Sequence, residues 1–233
     1  MVIAGKGIII GGNMVIMSEN IMRVLNEYSG LFIQGIGYTL LLALIAVTFG
    51  TMLGTFVALL KMSSNVFLSF IGTSYIELFR NTPLLLQLYI FMFLLPEIGI
   101  NLSPFAAVSV GLVLNTTAYI SEIIRSGIQS VDHGQTEAAR SLGLSHVQTL
   151  RMVVLPQAMR NILPALANEF VTDIKETSLA STFFVGDLMT TYRTVNGATF
   201  LTLEPLFIAG VIYFVLSFTL SKLVAYLERR LRA

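Results

Sequence analysis

The chain has 233 residues, of which 55% are hydrophobic and only 12% charged, and its 14 Lys and Arg against 13 Asp and Glu leave a formal net charge of +1, with a pI near 8.0 and a mean hydropathy of +0.80. Soluble domains carry about 25% charged residues, so this composition belongs in a lipid bilayer, and the length leaves room for several spans but for no large soluble domain. The balanced charge, without a dense Lys/Arg run, excludes a nucleic-acid partner, and the lack of cysteine excludes a disulfide framework and a thiolate metal site.

In chain order, residues 1–30 hold Lys6 and a short apolar run but no small-residue cleavage site, so they are expected to remain as an extracytoplasmic N-terminal extension. Gly5, Lys6 and Gly7 lack the Gly-x4-Gly-Lys-Ser/Thr spacing of a phosphate loop, as does the rest of the chain, so the chain is not expected to bind ATP by that route. Residues 31–60 are uncharged and make the first expected span. Glu77 and Arg80 stand three apart, spaced to pair on one helix face, and Pro83 follows at once. That pattern predicts an interfacial helix, then a short second span over 83–96. A third span, 103–125, carries Asn115, Thr116, Tyr119 and Glu122, with Glu122 and Arg125 spaced as a boundary pair.

A polar insert, 132–156, interrupts the apolar pattern. Asp132 with Gln135, and Ser145 with Gln148, have capping-box spacing, and Gly143 suits a left-handed helix end. Two short helices are expected, the second closed by Pro156, with Glu137 and Arg140 spaced so that they can pair. On the first, Ala138, Ala139 and Leu142 lie close together and suit close approach by another protein.

The fourth span, 157–179, is too polar for hydropathy to detect, yet its period is helical. Glu169, Asp173 and Glu176 fall at i, i+4 and i+7, flanked by Asn168, Thr172 and Lys175. Such a face crosses a membrane only where it is shielded from lipid, so it is the candidate path lining. A fifth span, 205–224, leads to a basic tail, 229–233. The expected fold is all-α, a polytopic membrane protein with about five transmembrane helices.

Lys61, Arg125, Arg140, Arg151, Arg160, Lys222, Arg229, Arg230 and Arg232 would share one side, against Lys6, Arg23 and Arg193 on the other. The first side is then cytoplasmic, with the C-terminus and the insert there and the N-terminus outside. His133 and His146 have no further ligands nearby in sequence, so no metal site is expected.

The spacing Glu137-Ala138-Ala139, three residues, Gly143, nine residues, then Val153-Val154-Leu155-Pro156 resembles the EAA loop of membrane permease subunits of ABC importers. The stretches "ELFRNTPLLLQLY", "NTTAYISEIIRSGIQSV" and "NEFVTDIKETSLAS" look like the polar amino acid branch (histidine, glutamine and arginine types) of that family. The resemblance covers the chain from about Leu31 to its C-terminus and implies residence in a prokaryotic cell membrane. It also implies that the insert is a coupling helix seated on a separate ATPase, with Gly134, Glu137, Ala138, Ala139, Arg140, Leu142 and Gly143 at that contact. By the same resemblance, two permease subunits (two copies or a pair of paralogues) form the pore, two ATPases bind ATP and Mg, and an extracytoplasmic binding protein delivers a polar amino acid. The chain itself would hold no cofactor and catalyse no reaction.

Asn115, Tyr119, Asn168, Glu169, Thr172, Asp173 and Glu176 are the candidate path residues, and Asp173 hints at a cationic substrate such as arginine, lysine or histidine. Glu77 and Arg80 are expected to be structural. An ion-gradient-driven secondary transporter is the alternative, with the acidic stripe as a proton or sodium relay; a membrane scaffold is a second.

Overall fold

The computed structural model describes residues 10–232, and every regular element among them is helical. Gly5, Lys6 and Gly7 lie outside the described residues, as does Ala233 of the expected tail. In chain order the elements are α1 (Ile10–Lys61), α2 (Val66–Arg80), α3 (Leu84–Glu97), α4 (Pro104–Gln129), α5 (His133–Ser141) and α6 (His146–Thr149), followed by α7 (Leu155–Glu176), α8 (Leu188–Thr199) and α9 (Leu203–Arg232). A π-helical turn, Leu150–Val154, joins α6 to α7, and a 3-10 segment, Thr177–Phe183, follows α7.

Three of these helices, α1 from Ile16, α4 and α9, are long and apolar enough to cross a membrane, and α2 with α3, bent by 101°, makes a further candidate. With 22 residues, α7 is about 33 Å long at 1.5 Å per residue. It has the length of a span without the apolar composition, as its acidic stripe predicts.

The extension differs from the expectation. α1 runs unbroken for 52 residues from Ile10, so residues 10–30 continue the first span as one helix. Ile21, Val24, Tyr28 and Phe32 recur at helical spacing and pack with Leu188 and Val195 of α8 and with Ile208 and Ala209 of α9. That apolar stripe makes the lower part of α1 core structure. Reading the stretch as an appendage missed a stripe whose partners lie more than 150 residues away in sequence.

At the centre stands α4, which packs on α1, α3 and α7. Ala58 of α1, Ile120 and Ile124 of α4, and Ala158 and Ile162 of α7 form one buried cluster, while Leu42, Ala46, Leu88, Val108 and Leu112 form another. α1 and α4 approach so closely that a Cβ on Gly50 would fall 2.9 Å from Thr116 Cγ2, and one on Gly54 would fall 3.0 Å from the Thr117 carbonyl oxygen. The two glycines let the backbones touch, as small residues do at membrane helix crossings.

Candidate substrate path and coupling loop

The insert folds by local rules. Asp132 Oδ1 accepts the Gly134 N–H at 2.7 Å and caps α5. The expected reciprocal bond from Gln135 is not made; its side chain lies instead 3.5 Å from Gln157 Nε2. Gly143 has φ +85°, and the Leu144 N–H reaches back to the Ala139 carbonyl at 3.2 Å, closing the helix end. Ser145 and Gln148 form the full capping box at α6.

Three expectations for this loop need correction. Glu137 and Arg140 do not pair: Arg140 Nη1 donates to the Leu144 carbonyl at 2.8 Å, and Glu137 lies 3.6 Å from His133 Nδ1. The Leu144 carbonyl, in the turn just past α5, is the nearer acceptor for this last-turn arginine. Ala139 is buried, whereas Glu137, Ala138 and Leu142 point outward, Leu142 84% exposed. Pro156 does not close the second helix, because α6 continues through the π turn into α7 with Pro156 in the first turn of the latter. The widened π turn just before it accommodates the missing N–H.

Charged side chains from three helices gather at the end of the bundle that carries the loop. Glu122 of α4 accepts from Lys61 of α1 at 2.6 Å and from Arg125 one turn on at 2.8 Å, and it lies 3.8 Å from Arg80 of α2. The Glu122–Arg125 pair forms as expected; Lys61 joins it from a helix end 61 residues away. Arg80 does not pair with Glu77, which faces outward. Its guanidinium lies 5.4 Å from the centre of the Tyr119 ring, where a ring face and a carboxylate both attract it.

Arg80, Tyr119, Glu122, Ile123, Ser126 and Glu169 line one crevice of about 290 Å³. The candidate path residues therefore separate into three groups. Tyr119 and Glu169 face this crevice. Asn168 is exposed, and Thr172 and Glu176 are half-buried, with the Thr172 hydroxyl donating to the Asn168 carbonyl at 3.3 Å. Asp173 is fully buried and receives the Thr116 hydroxyl, 3.0 and 3.2 Å from its two oxygens. It seals α7 to α4 and does not face the crevice. Asn115 is also buried and donates to Gln87 Oε1 at 2.9 Å. Sequence reasoning missed Gln87; the available signal was a side-chain amide one turn past Pro83. Among the described residues no three His, Cys, Asp or Glu come together to hold a metal ion.

Known proteins share this architecture. The family of binding-protein-dependent transport system inner membrane components matches residues 50–233. The arginine transport system permease protein of Bacillus subtilis is 40% identical over 202 residues, 86% of this chain and 92% of that one. The probable glutamine ABC transporter permease protein of the same organism is 37% identical over 210 residues, 90% of this chain and 97% of that one. Among solved structures, an amino acid ABC transporter with histidines is 45% identical with a TM-score of 0.86, covering 88% of this chain and 96% of that one. The inward-facing MetNI methionine ABC transporter, 18% identical with a TM-score of 0.73, shares the fold over 87% of this chain and 97% of its own. This chain belongs to the family of binding-protein-dependent transport system inner membrane components.

Proposed function

We propose that this permease subunit carries polar amino acids, cationic ones by preference, through a path beside α4 and α7, and that the loop from α5 to α6 docks on a separate ATPase. The subunit is a bacterial inner-membrane component of an ABC importer, a transport subunit and not an enzyme; ATP and Mg belong to the partner ATPase. The arrangement we favour is two ATPases, a second permease (a copy or a paralogue) and an extracytoplasmic binding protein. In this reading α7 is the fourth of five spans, shielded from lipid by the second permease, and the N-terminus of α1 is outside.

The observation that carries the proposal is the crevice, where the Arg80 guanidinium and the Glu169 carboxylate line one space beside the Tyr119 ring. A free amino acid presents a carboxylate and an ammonium group, and opposite charges lining one crevice suit such a zwitterion. Glu176, half-buried on the same stripe, adds negative charge that favours a cationic side chain. Relatives named for arginine and for glutamine are similarly close, so the preference rests on the charges. Docking is supported by the outward Glu137, Ala138 and Leu142, and orientation by Lys61, Arg80 and Arg125 at the loop end.

Uptake of labelled arginine, lysine, histidine and glutamine by the reconstituted complex tests the reading. We expect Glu169→Gln to lower uptake of cationic substrates about tenfold with the ATPase still bound; unchanged uptake would remove Glu169 from the path. Glu137→Lys is expected to release the ATPase without lowering membrane insertion, and normal association would refute docking there.

A further inference from the structure

We infer that Gln87 is a positioning residue: together with Asn115 it fixes the break between α2 and α3 and so sets where the Arg80 guanidinium stands in the crevice. The cause lies in Pro83. A helical N–H at position 83 would serve the Phe79 carbonyl, but proline has none, and the chain turns by 101° over this break. The Gln87 amide replaces that donor. Its Nε2 reaches the Phe79 carbonyl at 2.9 Å, the Thr82 carbonyl at 3.1 Å and Thr82 Oγ1 at 2.9 Å, its two hydrogens shared among three acceptors. Asn115 Nδ2 supports it from α4, donating to Gln87 Oε1 at 2.9 Å and to the Phe79 carbonyl at 3.4 Å. Gln87 is 4% exposed and Asn115 3%, so water does not substitute for these bonds.

The network governs Arg80 through geometry. Phe79 precedes Arg80, and its carbonyl is held against Asn115. Tyr75, one turn earlier on α2, donates its hydroxyl to the Leu114 carbonyl at 2.7 Å. Two successive turns of α2 are thus tied to neighbouring residues of α4, which sets the rotation of α2 about its axis. Tyr119 lies one helical turn beyond Asn115 on α4. The residue that receives the Phe79 carbonyl and the ring that receives Arg80 therefore share a face. Asn115, expected from the sequence in the path, acts on the substrate only through Arg80.

The inference rests on the reading that the crevice receives substrate, and the test separates the two. Equilibrium binding of labelled arginine, lysine, histidine and glutamine is measured on the purified complex of this chain with its ATPase in lipid nanodiscs, without the binding protein. The tightest ligand is carried forward. ATPase co-purification is recorded alongside. We expect Arg80→Gln and Gln87→Met each to weaken binding about tenfold, with ATPase co-purification within about twofold of wild type. The double variant should bind no more weakly than Arg80→Gln alone, because both changes remove one effect. Asn115→Ala should weaken binding about threefold, since Gln87 still serves the carbonyl.

Wild-type affinity in Gln87→Met while Arg80→Gln is impaired, or losses that add in the double variant, would overturn the positioning role. If Gln87→Met fails to assemble, Asn115→Ala carries the test, and unchanged affinity there overturns the inference. Wild-type affinity in Arg80→Gln, or no binding of any of the four ligands, would instead overturn the reading of the crevice beneath it.

Discussion

Two of the six prolines, Pro83 and Pro156, have opposite effects on the helices they meet. At Pro83 the polypeptide bends by 101° between α2 and α3; at Pro156 it continues from α6 through a π turn into α7 without a break. Both residues lack the same N–H, so proline alone does not decide the outcome. At Pro83 the orphaned Phe79 carbonyl finds side-chain donors from α3 and α4, and the helix is free to turn. At Pro156 the turn just before it widens by one residue, the Leu155 N–H reaching the Leu150 carbonyl, and the proline enters α7 in its first turn. A missing donor is absorbed by whatever the surroundings offer: buried amides in one place, a looser turn in the other.

Returning an N–H to each position sharpens this contrast. Pro83→Ala should have the larger effect, because the new amide competes with Gln87 for the Phe79 carbonyl and draws α2 and α3 toward one straight helix. We expect transport by the assembled complex to fall about tenfold, the equivalent of about 1.4 kcal/mol. Full activity would show that the bend does not depend on the proline. Pro156→Ala should do little. Helicity by circular dichroism should not change, and stability should move by less than about 1 kcal/mol; a gain in helical content would mean that the helix was broken at Pro156 after all.

Wherever the physics is local, the sequence was legible. Gly143, the Ser145–Gln148 box and the Asp132 cap depend on residues within a turn of one another, and each forms. The helix expected within 103–125 corresponds to α4, Pro104–Gln129, within a few residues, because its apolar face and Ser103 cap are adjacent. Charge pairing was less legible. The spacing of Glu77 with Arg80, and of Glu137 with Arg140, permits a pair, but other acceptors win: Glu122 from another helix and the Leu144 carbonyl in the turn past α5. Lys61 and Glu122 meet across three-dimensional space, and no spacing rule reports that. Asp173 shows the same limit, since its helical phase places it on the polar stripe while its burial against Thr116 depends on how closely α7 approaches α4. The short polar α8 went unread because it has no apolar run; its one local sign is Asp187, which accepts the Met189 N–H at 2.9 Å.

Reconstitution tests the account most directly. The chain is placed in liposomes with its ATPase and, if needed, a second permease, and uptake of labelled amino acid is followed with and without ATP and the binding protein. The account predicts uptake that requires both and is indifferent to an imposed proton or sodium gradient. Uptake driven by such a gradient in the absence of ATP would contradict it.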